Sequence, residues 1–184
     1  MKAQGRVYIG VSGSGKDTQV AKDVANGAVK YAFADGVREI AWMSLGWKPA
    51  NEQEYRAFKN TQISTLNKLT GQDFLINIGD GTRNKISDVF WVERLLEKMD
   101  IEKPTKFGIS DCRYTNEAVI LDNHFDVEFI FTNYKSPFYK LRNDTDSEWL
   151  AIQLLNLGYD HLDVIKKDDI YRLHQYFYDL RKVG

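Results

Sequence analysis

The segment Gly10-Val11-Ser12-Gly13-Ser14-Gly15-Lys16-Asp17-Thr18 has the residue types and spacing to grip a phosphate group. Three glycines let the backbone curl until successive N–H groups point into one concave space. A helix starting at Lys16 would add the positive end of its dipole. The Lys16 ammonium would then reach the outer phosphate oxygens of a nucleoside triphosphate. Ser14 and Thr18 supply hydroxyls at either side. Asp17 stands where a serine or threonine is usual. Its carboxylate suits a hard cation such as Mg²⁺, directly or through water, and equally suits a helix N-terminus.

Five further groups could work beside this loop. Asp111 and Arg113 follow the run Phe107–Ile109, where an acid can hold a metal-bound water and an arginine can stabilise developing negative charge. The same two residues could instead tie a loop down. Asp35 and Arg38 follow Val29–Phe33 and could bind a ligand or form a solvated pair at a helix start. Arg83, read as part of a glycine-rich loop over Gly79–Asn84, suits bidentate phosphate recognition. Trp91 lies off the apolar stripe of Val92, Leu95, Leu96 and Met99, so it could face a cleft and pack on a base or sugar, or pack internally. Finally, residues 134–146 carry Lys135, Lys140 and Arg142, a loop that could close over phosphates or simply be basic surface.

Elements that would hold these residues can be read from periodicity. Strand-like runs occur at Val7–Val11, Val29–Phe33, Phe107–Ile109, Val127–Thr132 and Leu162–Ile165. Helical patterns fall near 16–27, 36–45, 52–70, 87–100, 116–123, 145–157 and 168–182. Their alternation predicts an α/β domain with a mostly parallel sheet. Asn116 and Glu117 read as the opening of a helix. The longest interruption, about 36–105, carries helices of its own and predicts a substrate-binding flap within a single domain spanning 1–184.

Composition narrows the function. With 25 basic and 26 acidic residues the formal charge is −1, without the basic surplus usual for binding long nucleic acid. One cysteine, Cys112, excludes an internal disulfide and a multi-cysteine metal site. No run approaches the roughly 20 apolar residues needed to span a bilayer, and Lys2 leads straight into a strand-like run rather than an apolar signal core. These features predict a soluble, cytoplasmic protein with a small anionic substrate. They leave a homodimer open.

Ser14-Gly-Lys-Asp-Thr18, Phe33-Ala-Asp35, the Gly-Thr-Arg region before Trp91, and Ile109-Ser-Asp-Cys-Arg113 with Asn116-Glu117 together resemble the bacteriophage-type deoxynucleoside monophosphate kinases. The blocks keep that family's order over residues 6 to about 150. The resemblance implies a P-loop kinase fold: a five-stranded, mostly parallel sheet sandwiched by helices, a helical monophosphate-binding insertion and a short lid. It implies ATP with Mg²⁺, and transfer of a phosphoryl group to a deoxynucleoside 5′-monophosphate. Gly13, Ser14, Gly15, Lys16, Asp17 and Thr18 would form the ATP phosphate site. Asp35, Arg38, Arg83, Trp91 and Asp111 would serve the acceptor, with Asp17 and Asp111 toward Mg²⁺. Arg113 and Arg142 would stabilise the transition state. If phage-encoded, the protein would act in the host cytoplasm. Two alternatives stand beside this: a kinase of another small phosphorylated metabolite, similar to phosphomevalonate kinase, against which Trp91 as an aromatic clamp for a base would favour the nucleotide, and a nucleotide-switched binding module. No Asn-Lys-x-Asp run supports the latter.

Overall fold

The computed structural model describes residues 2–10, 14–63, 68–132 and 163–164. The chain divides into two compact units, Met1–Ala32 with Glu102–Gly184, and Phe33–Ile101. The excursion that forms the second unit thus runs from 33 to 101, where the sequence suggested 36–105. The basic loop at 134–146, with Arg142, and the helical patterns at 145–157 and 168–182 lie outside the described residues.

The first unit is built on strands β1 (Gln4–Ile9), β2 (Val29–Tyr31), β3 (Lys106–Ile109), β4 (Asp126–Phe131) and the two-residue β5 (Asp163–Val164), with helices α1 (Lys16–Ala25) and α6 (Thr115–His124). The order across the sheet is β2-β3-β1-β4-β5, and all adjacent strands are parallel. A parallel strand is covered on both faces and therefore reads as a continuous apolar run. Val7, Tyr8 and Ile9 obey this, being wholly or almost wholly buried. The chain leaves β1 through α1 toward β2, and leaves β3 through α6 for β4 on the far side of β1. Right-handed connections put those two helices on opposite faces, which opens a crevice at the carboxyl ends of β1 and β3.

Helix α1 is fastened to β1 by a polar cluster. Asp23 accepts hydrogen bonds from the Tyr8 hydroxyl at 2.6 Å and from Arg6 Nη1 at 3.0 Å, while Arg6 Nε reaches Glu128 on β4 at 2.9 Å. Burial, with the bond to Asp23 added, pushes the Tyr8 hydroxyl up to about 12.

The second unit contains α2 (Ala34–Leu45), α3 (Glu52–Asn60), α4 (Gly71–Lys85) and nearly all of α5 (Phe90–Glu102). Ala41, Phe58 and Leu75, one from each of the first three helices, form its centre, packed around by Val37, Trp42, Leu45, Tyr55, Phe74 and Ile78. Two expectations fail here. The helical pattern at 52–70 stops at Asn60: Thr61 is extended, and Ile63 N–H donates to Leu69 while Gly71 N–H donates to Thr61. The stretch Gly79–Asn84 is not a loop but the last turns of α4. A capping box starts that helix, with Thr70 Oγ1 accepting from Asp73 N–H and Asp73 Oδ2 accepting from Thr70 N–H. Its packing on the centre through Phe74, Leu75 and Ile78 outweighs the roughly 1 kcal/mol that each internal glycine costs. Among the described residues no helix is long and apolar enough to cross a membrane.

Candidate active site

Gly10, at the carboxyl end of β1, and Gly15, at the start of α1, bracket the phosphate-type loop; Gly13 lies outside the described residues. A side chain on Gly10 would fall 2.4 Å from the Thr132 carbonyl oxygen and 2.7 Å from Ser14 Oγ, so only glycine fits this crossing. Thr132 N–H donates to the Ile9 carbonyl at 2.7 Å, and its hydroxyl meets that of buried Ser14 at 2.8 Å. The end of β4 thus anchors the loop just before it enters α1. Gly15 has φ +89° and caps the first turn of α1 with no side-chain hydrogen bond, and the start of a helix is a place where backbone N–H groups suit an anion. The Lys16 ammonium bends back to the Gly10 carbonyl, bringing a cation across the loop.

Asp17, one position on, joins this loop to the end of β3. Its Oδ1 accepts a hydrogen bond from the Ser110 hydroxyl at 2.7 Å and lies 3.4 Å from the Lys30 ammonium. Desolvation works against its charge, but Ser110, Lys30 and Lys16 outweigh that and hold the carboxyl below its ordinary range. Asp17 is therefore a carboxylate throughout the neutral range, with its side chain 80% exposed. Thr18 is exposed on the same first turn. Asp111, half-buried, follows Ser110 directly. Cys112 is buried and Arg113 exposed. Buried Glu117 accepts from the N–H groups of Arg113 at 3.0 Å and Tyr114 at 3.2 Å, and Asn116 Oδ1 accepts from Glu117 N–H. Those two residues open α6.

In the second unit, Asp35 and Arg38 form an ion pair within the first turns of α2. β2 ends at Tyr31, so both residues belong to the helix rather than to a strand end. Burial opposes the charge of Arg38, while Asp35 and Tyr55 hold its guanidinium above its ordinary range. Arg83 sits in the last turn of α4 and donates from Nη1 to the Asp88 carbonyl at 3.0 Å, bracing the link to α5. Trp91 corrects the sequence reading most sharply. Its side chain does not turn away from the apolar stripe: the residue is 2% exposed. Its indole N–H donates to the Gly79 carbonyl at 3.0 Å, and Phe90 packs edge-on at 4.9 Å. An indole so enclosed has no open face for a base.

No protein-family model matches the chain, and no curated protein does.

The geometry brings Lys16, Asp17, Ser110 and Asp111 to one edge of the parallel sheet, at the ends of β1 and β3. Ser110, Lys30 and Thr132 were missed from sequence. Ser110 and Thr132 each stand one residue beyond a strand's carboxyl end, and Lys30 lies near the end of β2; in an open parallel sheet such positions converge. That rule could have found them.

Proposed function

We propose that this protein transfers the terminal phosphoryl group of ATP to the phosphate of a small monophosphate, a deoxynucleoside 5′-monophosphate by preference. The observation that carries the reading is the start of α1, without a side-chain cap, behind Gly10, which a close approach requires, and Gly15, which its positive φ favours, with Lys16 folded across the loop at the carboxyl end of the sheet's central strand. Backbone N–H groups and Lys16 suit the β- and γ-phosphates. Among the described residues no group of three or more His, Cys, Asp or Glu could hold a metal by itself. This fits Mg²⁺, which takes one or two carboxylates, several waters and the phosphates themselves; Asp17 and Asp111 would hold it. When bound, Mg²⁺ supplies charge neutralisation on the triphosphate.

In-line transfer then needs little covalent help from the protein. Lys16 orients the donor, and Arg113, exposed next to Asp111, supplies positive charge at the sheet edge. Arg38 and Arg83 are assigned to the acceptor phosphate. Such an acceptor is already ionised near neutral pH and needs no general base. The working location of this reading is the cytoplasm, that of a host cell if the gene is a phage's.

The burial of Trp91 bears on the acceptor. An aromatic clamp was the feature that favoured a nucleotide over another phosphorylated metabolite, and Trp91 does not provide it. A kinase of a different small phosphate ester on the same scaffold is therefore the second reading. A coupled ADP-release assay over paired deoxy- and ribonucleoside monophosphates, with non-nucleotide phosphate esters alongside, separates the two. Higher kcat/KM for the deoxynucleotides supports the first. Equal values for each deoxy/ribo pair defeat the deoxy preference, and turnover only with non-nucleotide esters selects the second reading.

A further inference from the structure

Tyr55 and Lys59 stand one turn apart on α3, with Lys59 Nζ 5.2 Å from the centre of the Tyr55 ring. From α2, Arg38 Cζ approaches the same ring at 5.9 Å. The ring is itself anchored, packed on the unit's centre and met edge-on by Trp42 at 6.2 Å. One fixed phenol thus gathers two cations from two helices, each attracted by the negative face of the ring. Arg38 is matched by Asp35, so that pair carries no net charge. Among the described residues no carboxylate pairs with Lys59, which leaves the group one positive charge.

We propose that Arg38, Tyr55 and Lys59 form a subsite for a phosphate monoester dianion, in which Lys59 supplies the second cation and the Tyr55 ring positions both. Arg38 alone, with its charge partly spent on Asp35, is a poor match for a dianion; Lys59 completes it. The inference rests on the acceptor reading above and adds Lys59 to it as a specificity-determining residue, with Tyr55 as a positioning residue. It also explains why an aromatic side chain stands beside the acceptor arginine although Trp91 is enclosed.

The test is calorimetric titration of the full chain, without ATP, using deoxynucleoside 5′-monophosphates, the matching unphosphorylated nucleosides and glycerol 3-phosphate. Lys59→Ala should weaken monophosphate binding about tenfold, the loss of one charge-assisted contact, and leave nucleoside binding unchanged. Lys59→Arg should restore most of the loss. Tyr55→Leu should match Lys59→Ala, whereas Tyr55→Phe, which keeps the ring, should retain most of the affinity; melting curves check that each variant folds. Lys59-dependent binding of glycerol 3-phosphate without any nucleotide binding would keep the subsite and remove the nucleotide reading. Nucleotide binding indifferent to Lys59→Ala would overturn the subsite and keep that reading. Equal weakening for nucleoside and monophosphate, or no binding of any probe by the unaltered protein, would overturn the subsite.

Discussion

In the proposed transfer Lys16 is the residue on which the chemistry turns, and its surroundings set how its loss should read. Its ammonium leans on a backbone carbonyl at the rim of the loop and fills no core position. Lys16→Ala should lower kcat for phosphoryl transfer by roughly a hundredfold or more, the scale of removing one preorganised charge donor. Thermal melting should barely move, because such positions usually contribute within about 0.5 kcal/mol. Near-normal turnover would remove the phosphate-loop assignment. Trp91 shows the opposite profile. At 100° per residue, Trp91, Leu95, Met99 and Val92 fall within an arc of about 100°, the width of an ordinary buried face. The sequence reading drew the stripe from Val92 and its partners and so left Trp91 just outside it; the arc includes it once Trp91 and Leu95 are paired as i, i+4. Trp91→Ala should therefore cost about 3–5 kcal/mol of stability, measured by denaturant unfolding. A stable Trp91→Ala variant with a raised KM for the acceptor alone would return the residue to the binding site. Lys16 and Asp17 were legible because their motif is local. Trp91 was not, because which edge of a helix is covered depends on what packs there.

At the scale of elements, strands and most helices were legible since each carries its own period. α4 was not. Two glycines and an asparagine near its end mimic a turn, and the Thr70/Asp73 capping box that starts it was hidden inside a helix read through to residue 70. Only the packing of Leu75 and its neighbours against Ala41 and Phe58 decides that competition. The fastening of α1 to β1 through Tyr8 and Asp23 was likewise invisible in sequence, since the partners are fifteen positions apart. It carries a prediction for the element. Tyr8→Phe leaves buried Asp23 with one hydrogen bond fewer and should cost about 1–2 kcal/mol. The pH dependence follows from the raised value of about 12 against the ordinary 10.0. A raised group stabilises the fold while protonated, so its contribution is full below pH 10 and disappears as pH rises toward 12. Chemical denaturation at pH 8 and pH 11 should show the difference between the unaltered protein and Tyr8→Phe shrinking at the higher pH. A gap that stays constant or widens would mean that the hydroxyl is not bound to Asp23.

For the whole molecule, the chain divides into a parallel-sheet unit and a helical unit at 33–101, and the proposed transfer would give each different work: donor phosphates to the ends of β1 and β3, acceptor phosphate to α2, α3 and α4. The alternation of strands and helices made this α/β class legible, and the long interruption between the second and third strands marked the helical unit. The identity of the proposed acceptor was far less legible, because a small substrate is recognised by shape between side chains distant in sequence. In the proposed reaction the γ-phosphoryl group of ATP is passed to another phosphate and not merely released. The most direct test supplies γ-labelled ATP, Mg²⁺ and one deoxynucleoside 5′-monophosphate, then separates the products. Label should appear in the deoxynucleoside diphosphate, with unlabelled ADP formed in equal amount and both lost in Lys16→Ala. Label recovered only as inorganic phosphate, at a rate indifferent to any added acceptor, would contradict it.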